Sequence, residues 1–167
     1  LMNSKKYTTL FLDRDGVINH KMDGYVQCFS EFHFMEGALK SISLLTKYFD
    51  RIIIVTNQQG IGKKLMKEQD LLLLHSQMIL EIERNGGKVN KIYFCPHLST
   101  SNCSCRKPKP GMLLKSKEDF PEIEFDKSYL IGDSDSDIQA AFSLGIKSFK
   151  VSKEYTLSDW ANEFLLD

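Results

Sequence analysis

Two carboxylates two residues apart, Asp13 and Asp15 in Asp13-Arg14-Asp15-Gly16, follow directly on the apolar run Leu10-Phe11-Leu12. Paired carboxylates can hold a hard cation, or divide the work of nucleophile and proton carrier. If the chain stays extended, alternation turns both to the same side. Taken alone, such a pair is also compatible with solvated acids in a turn. A second acidic group, Asp133-Ser134-Asp135-Ser136-Asp137, follows the run Leu130-Ile131-Gly132. An EF-hand calcium loop needs glycine at its sixth position and glutamate at its twelfth, where this chain has Ile138 and Leu144. That reading fails. Ser136 or Asp137 is expected to cap a helix, which leaves Asp133 at the strand end to be accounted for.

Cationic and soft groups lie between these acids. Thr56-Asn57-Gln58-Gln59-Gly60-Ile61-Gly62 offers hydroxyl, amide and backbone donors to a phosphoryl group, but lacks both the Walker lysine and dinucleotide spacing. By itself it reads as a plain strand-to-helix loop. Arg106-Lys107-Pro108-Lys109-Pro110-Gly111 carries cations stiffened by prolines, which fix φ and reduce the entropy lost in positioning them. Just before it, Cys95-x-His97 and Cys103-x-Cys105 form a Cys₃His set, the composition of closed structural zinc sites. Four protein ligands leave no open position, so the expected task of the zinc is to fold the loop that delivers Arg106 and Lys107. Cys28, His20, His33 and His75 lack ligand partners at suggestive spacing. His75 is expected to be an ordinary core or helix-surface residue.

Elements must bring these groups together. Residues 7–12, 51–55, 91–94, 128–131 and 148–151 are β-branched, aromatic or apolar runs that read as buried strands. Ala38, Ile42, Leu45 and Phe49 mark one helical face, Leu71, Leu74, Met78 and Ile82 a second, and Ile138, Ala141, Phe142 and Gly145 a shorter third. Strand-helix alternation with near-continuous apolar strands predicts an α/β fold with a doubly wound parallel sheet. Ligands of such sheets bind beyond the carboxyl ends of the strands. Asp13, Thr56-Asn57 and Asp133 each stand at that end of an apolar run.

The 167 residues contain no repeat or linker and read as a single domain, 1–167. Lys plus Arg number 22 and Asp plus Glu 22, a balance that argues against nucleic-acid or acidic-membrane partners. No export signal follows residues 1–6, and the aliphatic run 71–74 is far shorter than the roughly 20 residues of a membrane span. The expectation is a cytoplasmic monomer that acts on a small phosphorylated metabolite.

In order, Asp13-x-Asp15, Thr56, Lys107 and Gly132-Asp133-x-x-x-Asp137 resemble the four motifs of the haloacid dehalogenase superfamily of phosphotransferases, which implies a Rossmann-like fold. Asp13-Arg14-Asp15-Gly16-Val17-Ile18-Asn19, Gly24-Tyr25-Val26, Val55-Thr56-Asn57-Gln58, Cys95-Pro96-His97 and Cys105-Arg106-Lys107-Pro108 through Met112 are similar, more narrowly, to the heptose bisphosphate phosphatases. The histidinol-phosphate phosphatases share much of this, including the spacer between His97 and Cys103.

The resemblance implies that Asp13 attacks phosphorus to form an aspartyl-phosphate. Asp15 would protonate the leaving oxygen and then activate water. Magnesium would be held by the carboxylates of Asp13 and Asp133 and the backbone carbonyl of Asp15. Thr56, the backbone of Asn57 and Lys107 would bind phosphoryl oxygens, with Asp137 orienting Lys107 and Arg106 touching substrate. Gly16 and Lys63 are further expected substrate-side residues. Lys63 is the more open of the two, because Gly60-Ile61-Gly62-Lys63 departs from the Gly-Ile-Ala-Arg-like segment common in the heptose enzymes. The place implied is lipopolysaccharide or S-layer heptose biosynthesis. With no length for a large cap domain, specificity falls to the loops 17–34, 58–67 and 96–112. A competing expectation is a zinc-stabilised module that binds sugar phosphate without turning it over.

Overall fold

Strands flanked by helices on both faces have no solvent side, and their sequences carry no polar face. The computed structural model describes residues 7–167. The amino-terminal segment read above for an export signal lies outside the described residues. The strands are β1 (Tyr7–Leu12), β2 (Phe49–Asn57), β3 (Lys91–Cys95), β4 (Ser128–Gly132) and β5 (Lys147–Lys150), all parallel, in the order β3-β2-β1-β4-β5. The chain runs outward from β1 to β3, then crosses back to place β4 on the other side of β1. The switch point, where such sheets open a ligand crevice, therefore lies between the ends of β1 and β4. Asp13 and Asp133 follow those two ends.

The α-helices among the described residues are α1 (Ala38–Leu45), α2 (Gln59–Gly62), α3 (Glu68–Arg84), α4 (Gly111–Asp119), α5 (Asp135–Phe142) and α6 (Leu157–Leu166). Alternation along each strand divides the core in two. Leu10, Leu12, Ile52, Ile54 and Ile131 pack with Ile42 and Leu45 of α1, Leu71, Leu74 and Met78 of α3 and Trp160 of α6. Phe11, Ile53, Val55 and Leu130 face the opposite way, onto Met112 and Leu113 of α4 and Ala140 and Ala141 of α5. Residues 13–37 contain one 3₁₀ turn, Phe29–Glu31, and residues 96–110 contain neither helix nor strand, so no large cap covers the crevice among the described residues. No helix among the described residues is long and apolar enough to cross a membrane.

Three local expectations change. Phe49, grouped by period with α1, instead opens β2 and is buried there. Phe142 is 84% exposed, because a helix as short as α5 turns only its Ala140 and Ala141 side to the sheet. The N-cap residue of α5 is Ser134 rather than Ser136, while Asp137, three residues on, caps as expected by accepting from the Ser134 amide in a capping box.

Candidate active site

Asp13 leaves β1 with its amide donating to Ile131 of β4 at 3.0 Å, which seats it over the switch point. Its Oδ1 lies 3.1 Å from Nζ of Lys107, and Lys107 also reaches Asp137 Oδ1 at 2.5 Å and the Val55 carbonyl at 2.8 Å. Burial alone would push the lysine pKa down; Asp13 and Asp137 outweigh it and hold it above the ordinary value. Burial pushes the Asp13 carboxyl up to about 8 against the pull of Lys107, with Asp137, Asp15 and Asp133 adding repulsion. One lysine is thus shared by more negative charge than it can neutralise. Asp137 reaches it because Gly132 has no side chain: a Cβ there would stand 2.3 Å from that of Asp137.

Asp133 sits across from Asp13. Its Oδ2 accepts from Lys21 Nζ at 3.0 Å, whereas its Oδ1 is buried without a hydrogen-bond partner. Gly16 makes this close approach possible. Its φ of +83° is left-handed, and a Cβ would fall 2.3 Å from Asp133 Oδ2. Carboxylate oxygens of Asp13, Asp133 and Asp137 all lie within 4.8 Å of one another. Hard oxygen donors, surplus negative charge and an orphaned buried oxygen fit a divalent cation such as magnesium.

The Asp15 carboxylate turns away from this trio. Its Oδ1 accepts from Arg14 Nη2 at 2.8 Å, Arg14 Nε at 3.3 Å and Asn19 Nδ2 at 2.9 Å, and its Oδ2 from Gln58 Nε2 at 2.9 Å. Burial would raise its pKa, but Arg14 and these donors outweigh it and the net shift is downward. Thr56 is buried and its hydroxyl accepts from the same Gln58 amide at 2.9 Å. Asn57 grips the backbone of Lys107, donating to its carbonyl at 3.2 Å and accepting from its amide at 3.1 Å.

These groups open on a cavity of about 280 Å³, with Asp13, Asp15, Lys107 and Asp133 inside it and Lys21, Tyr25 and Arg106 along its walls. Arg106 Nη1 is buried without a partner, a donor suited to an anion. Lys63 is not part of that lining; its Nζ stands 5.2 Å over the ring of Tyr25. Each of the three loops expected to carry specificity contributes to the wall. Lys21 and Gln58 were missed from sequence. Gln58 had a signal, its place one step beyond the strand-end Thr56-Asn57, whereas nothing in the loop 17–34 singles out one lysine.

Cys95 ends β3, and the loop after it brings back His97, Cys103 and Cys105, with all four donor atoms within 4.8 Å of one another. Cys95 Sγ is 3.6 Å from Cys103 Sγ and 3.5 Å from His97 Nδ1, close to what a tetrahedral ion with bonds of about 2.0–2.3 Å imposes, whereas Cys105 Sγ stands closer, 2.8 Å from Cys95 Sγ and 3.1 Å from His97 Nδ1. Burial and the Cys105 contact push the Cys95 thiol up to about 12, while at Cys103 burial is outweighed by donors from Ser101 and the Arg106 backbone, bringing it down to about 6. The cluster fits a soft or borderline cation. Its loop leads directly into Arg106 and Lys107.

A family model described as HAD-hydrolase-like matches residues 104–164. The D-glycero-alpha-D-manno-heptose-1,7-bisphosphate 7-phosphatase of Campylobacter jejuni is 40% identical over 164 residues, covering 95% of this chain and 91% of the relative. The D-glycero-beta-D-manno-heptose-1,7-bisphosphate 7-phosphatase of Neisseria meningitidis is 39% identical over 138 residues, 83% of this chain and 73% of the relative. Among solved structures, the D,D-heptose 1,7-bisphosphate phosphatase of B. bronchiseptica, complexed with magnesium and phosphate, superposes with a TM-score of 0.89 at 28% identity, covering 95% of this chain and 98% of that one.

Proposed function

The chain belongs to the heptose-1,7-bisphosphate 7-phosphatase family of HAD-like hydrolases, and on that premise we propose that it hydrolyses the 7-phosphate of D-glycero-D-manno-heptose 1,7-bisphosphate to leave the 1-phosphate. The observation that carries this reading is the buried Asp13–Lys107 pair, facing an unpartnered Asp133 oxygen and an unpartnered Arg106 donor across one small cavity. Nucleophile, cation site and anion donors belong to one crevice.

In this reading the Asp13 carboxylate attacks phosphorus and the bond to the sugar oxygen breaks. Asp15, which must first take up a proton against the pull of Arg14, gives it to the leaving oxygen and then takes one from the water that hydrolyses the aspartyl-phosphate. Lys107, Thr56 and the backbone N–H of Asn57 hold the transferring oxygens, where charge stabilisation and positioning supply most of the rate. Asp137 aims Lys107, and Arg106 meets the substrate as a rigid fork. Gly16 lends its backbone to the same crevice, and Lys63 acts through the ring of Tyr25. Magnesium bound by Asp13, Asp133 and the Asp15 carbonyl would screen the repulsion between two anions. Zinc on Cys95, His97, Cys103 and Cys105 would fix the loop ahead of Arg106. All of these groups come from one chain, and no step calls on a second copy.

The test is magnesium-dependent phosphate release from both heptose bisphosphate anomers and from histidinol phosphate. A kcat/KM highest on a heptose bisphosphate supports the proposal. Preference for histidinol phosphate replaces the substrate assignment, and a ligand that raises Tm without turnover indicates a binding module.

A further inference from the structure

His75 lies on the buried side of α3, outside the cavity, and no step above uses it. It is 4% exposed, and its Nε2 lies 3.0 Å from Nη1 of Arg14. A guanidinium offers only donors, so Nε2 is the accepting nitrogen and the imidazole is neutral. Burial first, and then the Arg14 charge, hold its pKa down to about 3, in agreement with that geometry. Arg14 is itself fully buried, with Phe32 5.8 Å from its guanidinium carbon. Its other two nitrogens, Nε and Nη2, both donate to Asp15 Oδ1. The guanidinium is planar and rigid, so an acceptor that fixes Nη1 also fixes the direction of the remaining two.

Resting on the assignment of Asp15 as proton carrier, we propose that His75 is a positioning residue for the reaction, setting Asp15 through Arg14. Oδ1 of Asp15 is committed to two Arg14 donors and to Asn19, whereas Oδ2 takes one donor, from Gln58. Oδ2 is therefore the oxygen left to carry the proton. An apolar residue in place of His75 would fill the space beside Phe94 but leave Nη1 without an acceptor and the guanidinium free to tilt.

A purely structural role for His75 makes a different prediction, because only a positioning role depends on the leaving group. His75→Leu and His75→Gln are compared with wild type by kcat/KM on heptose 1,7-bisphosphate, whose alkoxide leaving group needs a proton, and on p-nitrophenyl phosphate, whose phenolate does not. His75→Leu is expected to lose about tenfold on the sugar phosphate and less than about threefold on the aryl phosphate, a fraction of what proton transfer contributes. His75→Gln, which keeps an acceptor, should recover to within about threefold of wild type. Equal losses on both substrates, a glutamine variant as slow as the leucine one, or a leucine variant at the wild-type rate would each overturn the proposal. If wild-type protein leaves heptose bisphosphate intact, the substrate assignment fails instead, and the same comparison on histidinol phosphate decides the role of His75.

Discussion

Asp13, Asp133 and Asp137 are brought together from the ends of two neighbouring strands and the first turn of a helix, whereas Cys95, His97, Cys103 and Cys105 come from one strand end and the loop behind it. The oxygen cluster exists only when the sheet is complete. It opens on a cavity, carries surplus charge and leaves a buried oxygen unpartnered. The sulfur cluster is local, uses all four donors on one another and takes no part in the lining of that cavity. Oxygen donors suit a hard ion that keeps waters and substrate in its shell; thiolates and imidazole suit a closed tetrahedral ion. The two clusters are joined through backbone. Gln58 donates to the Cys95 carbonyl at 2.7 Å, and Asn57 clamps Lys107 at the far end of the loop. A lesion in the first cluster should therefore be chemical and one in the second conformational.

The sharpest break is Asp13→Asn. It should lower kcat by at least about 10³-fold, because the nucleophile is gone, while the core is untouched and Tm moves little. Steady-state kinetics beside a melting curve check this, and substantial residual turnover would remove Asp13 from the chemistry. Cys105→Ser should do the reverse in kind. Bound zinc falls from one equivalent, Tm drops by several degrees and kcat falls about 10- to 100-fold as Arg106 and Lys107 lose their support. Metal analysis and calorimetry on the same sample would show it, and added magnesium should not restore the rate. Arg106→Ala touches neither cluster's ion. Its expected cost is about a tenfold rise in KM with a smaller change in kcat, the loss of one charged contact to substrate.

The effect smallest at neutral pH is one on stability that grows with acid. His75 is held at about 3 in the folded chain against 6.5 when free, so between these values the unfolded chain binds a proton that the folded one refuses. Stability must fall as pH drops from about 6.5 toward 3, and His75→Gln should flatten that limb of the Tm profile while leaving the neutral plateau nearly unchanged. Identical acid limbs would show that His75 is not neutral in the fold.

The ends of β1, β2 and β4 were legible because each apolar run stops at a polar residue that the parallel sheet must place at one edge. The same logic, with motif order, pointed to Asp13, Asp133 and Lys107, which the fold brings to one crevice, and the short spacing pointed to the four soft groups that the loop gathers. Helices α4 and α6 were not anticipated: α4 lies among cationic and proline signals, and the packing face of α6 became visible only when Trp160 and Phe164 stacked, with centroids 5.0 Å apart. Phe49 fitted the helical period by coincidence. Lys21 and His75 were illegible for one shared reason. Each gains its meaning from a residue far away in sequence, Asp133 for one and Arg14 for the other.

The central claim is that the oxygen cluster performs the chemistry through Asp13. Rapid acid quench of the wild-type protein with heptose 1,7-bisphosphate and magnesium, followed by peptide mapping, tests it most directly. One phosphoryl group on the peptide containing Asp13, formed together with a stoichiometric burst of heptose 1-phosphate, is the predicted result. Phosphate release with no label on that peptide, or with the label on another residue, would contradict it.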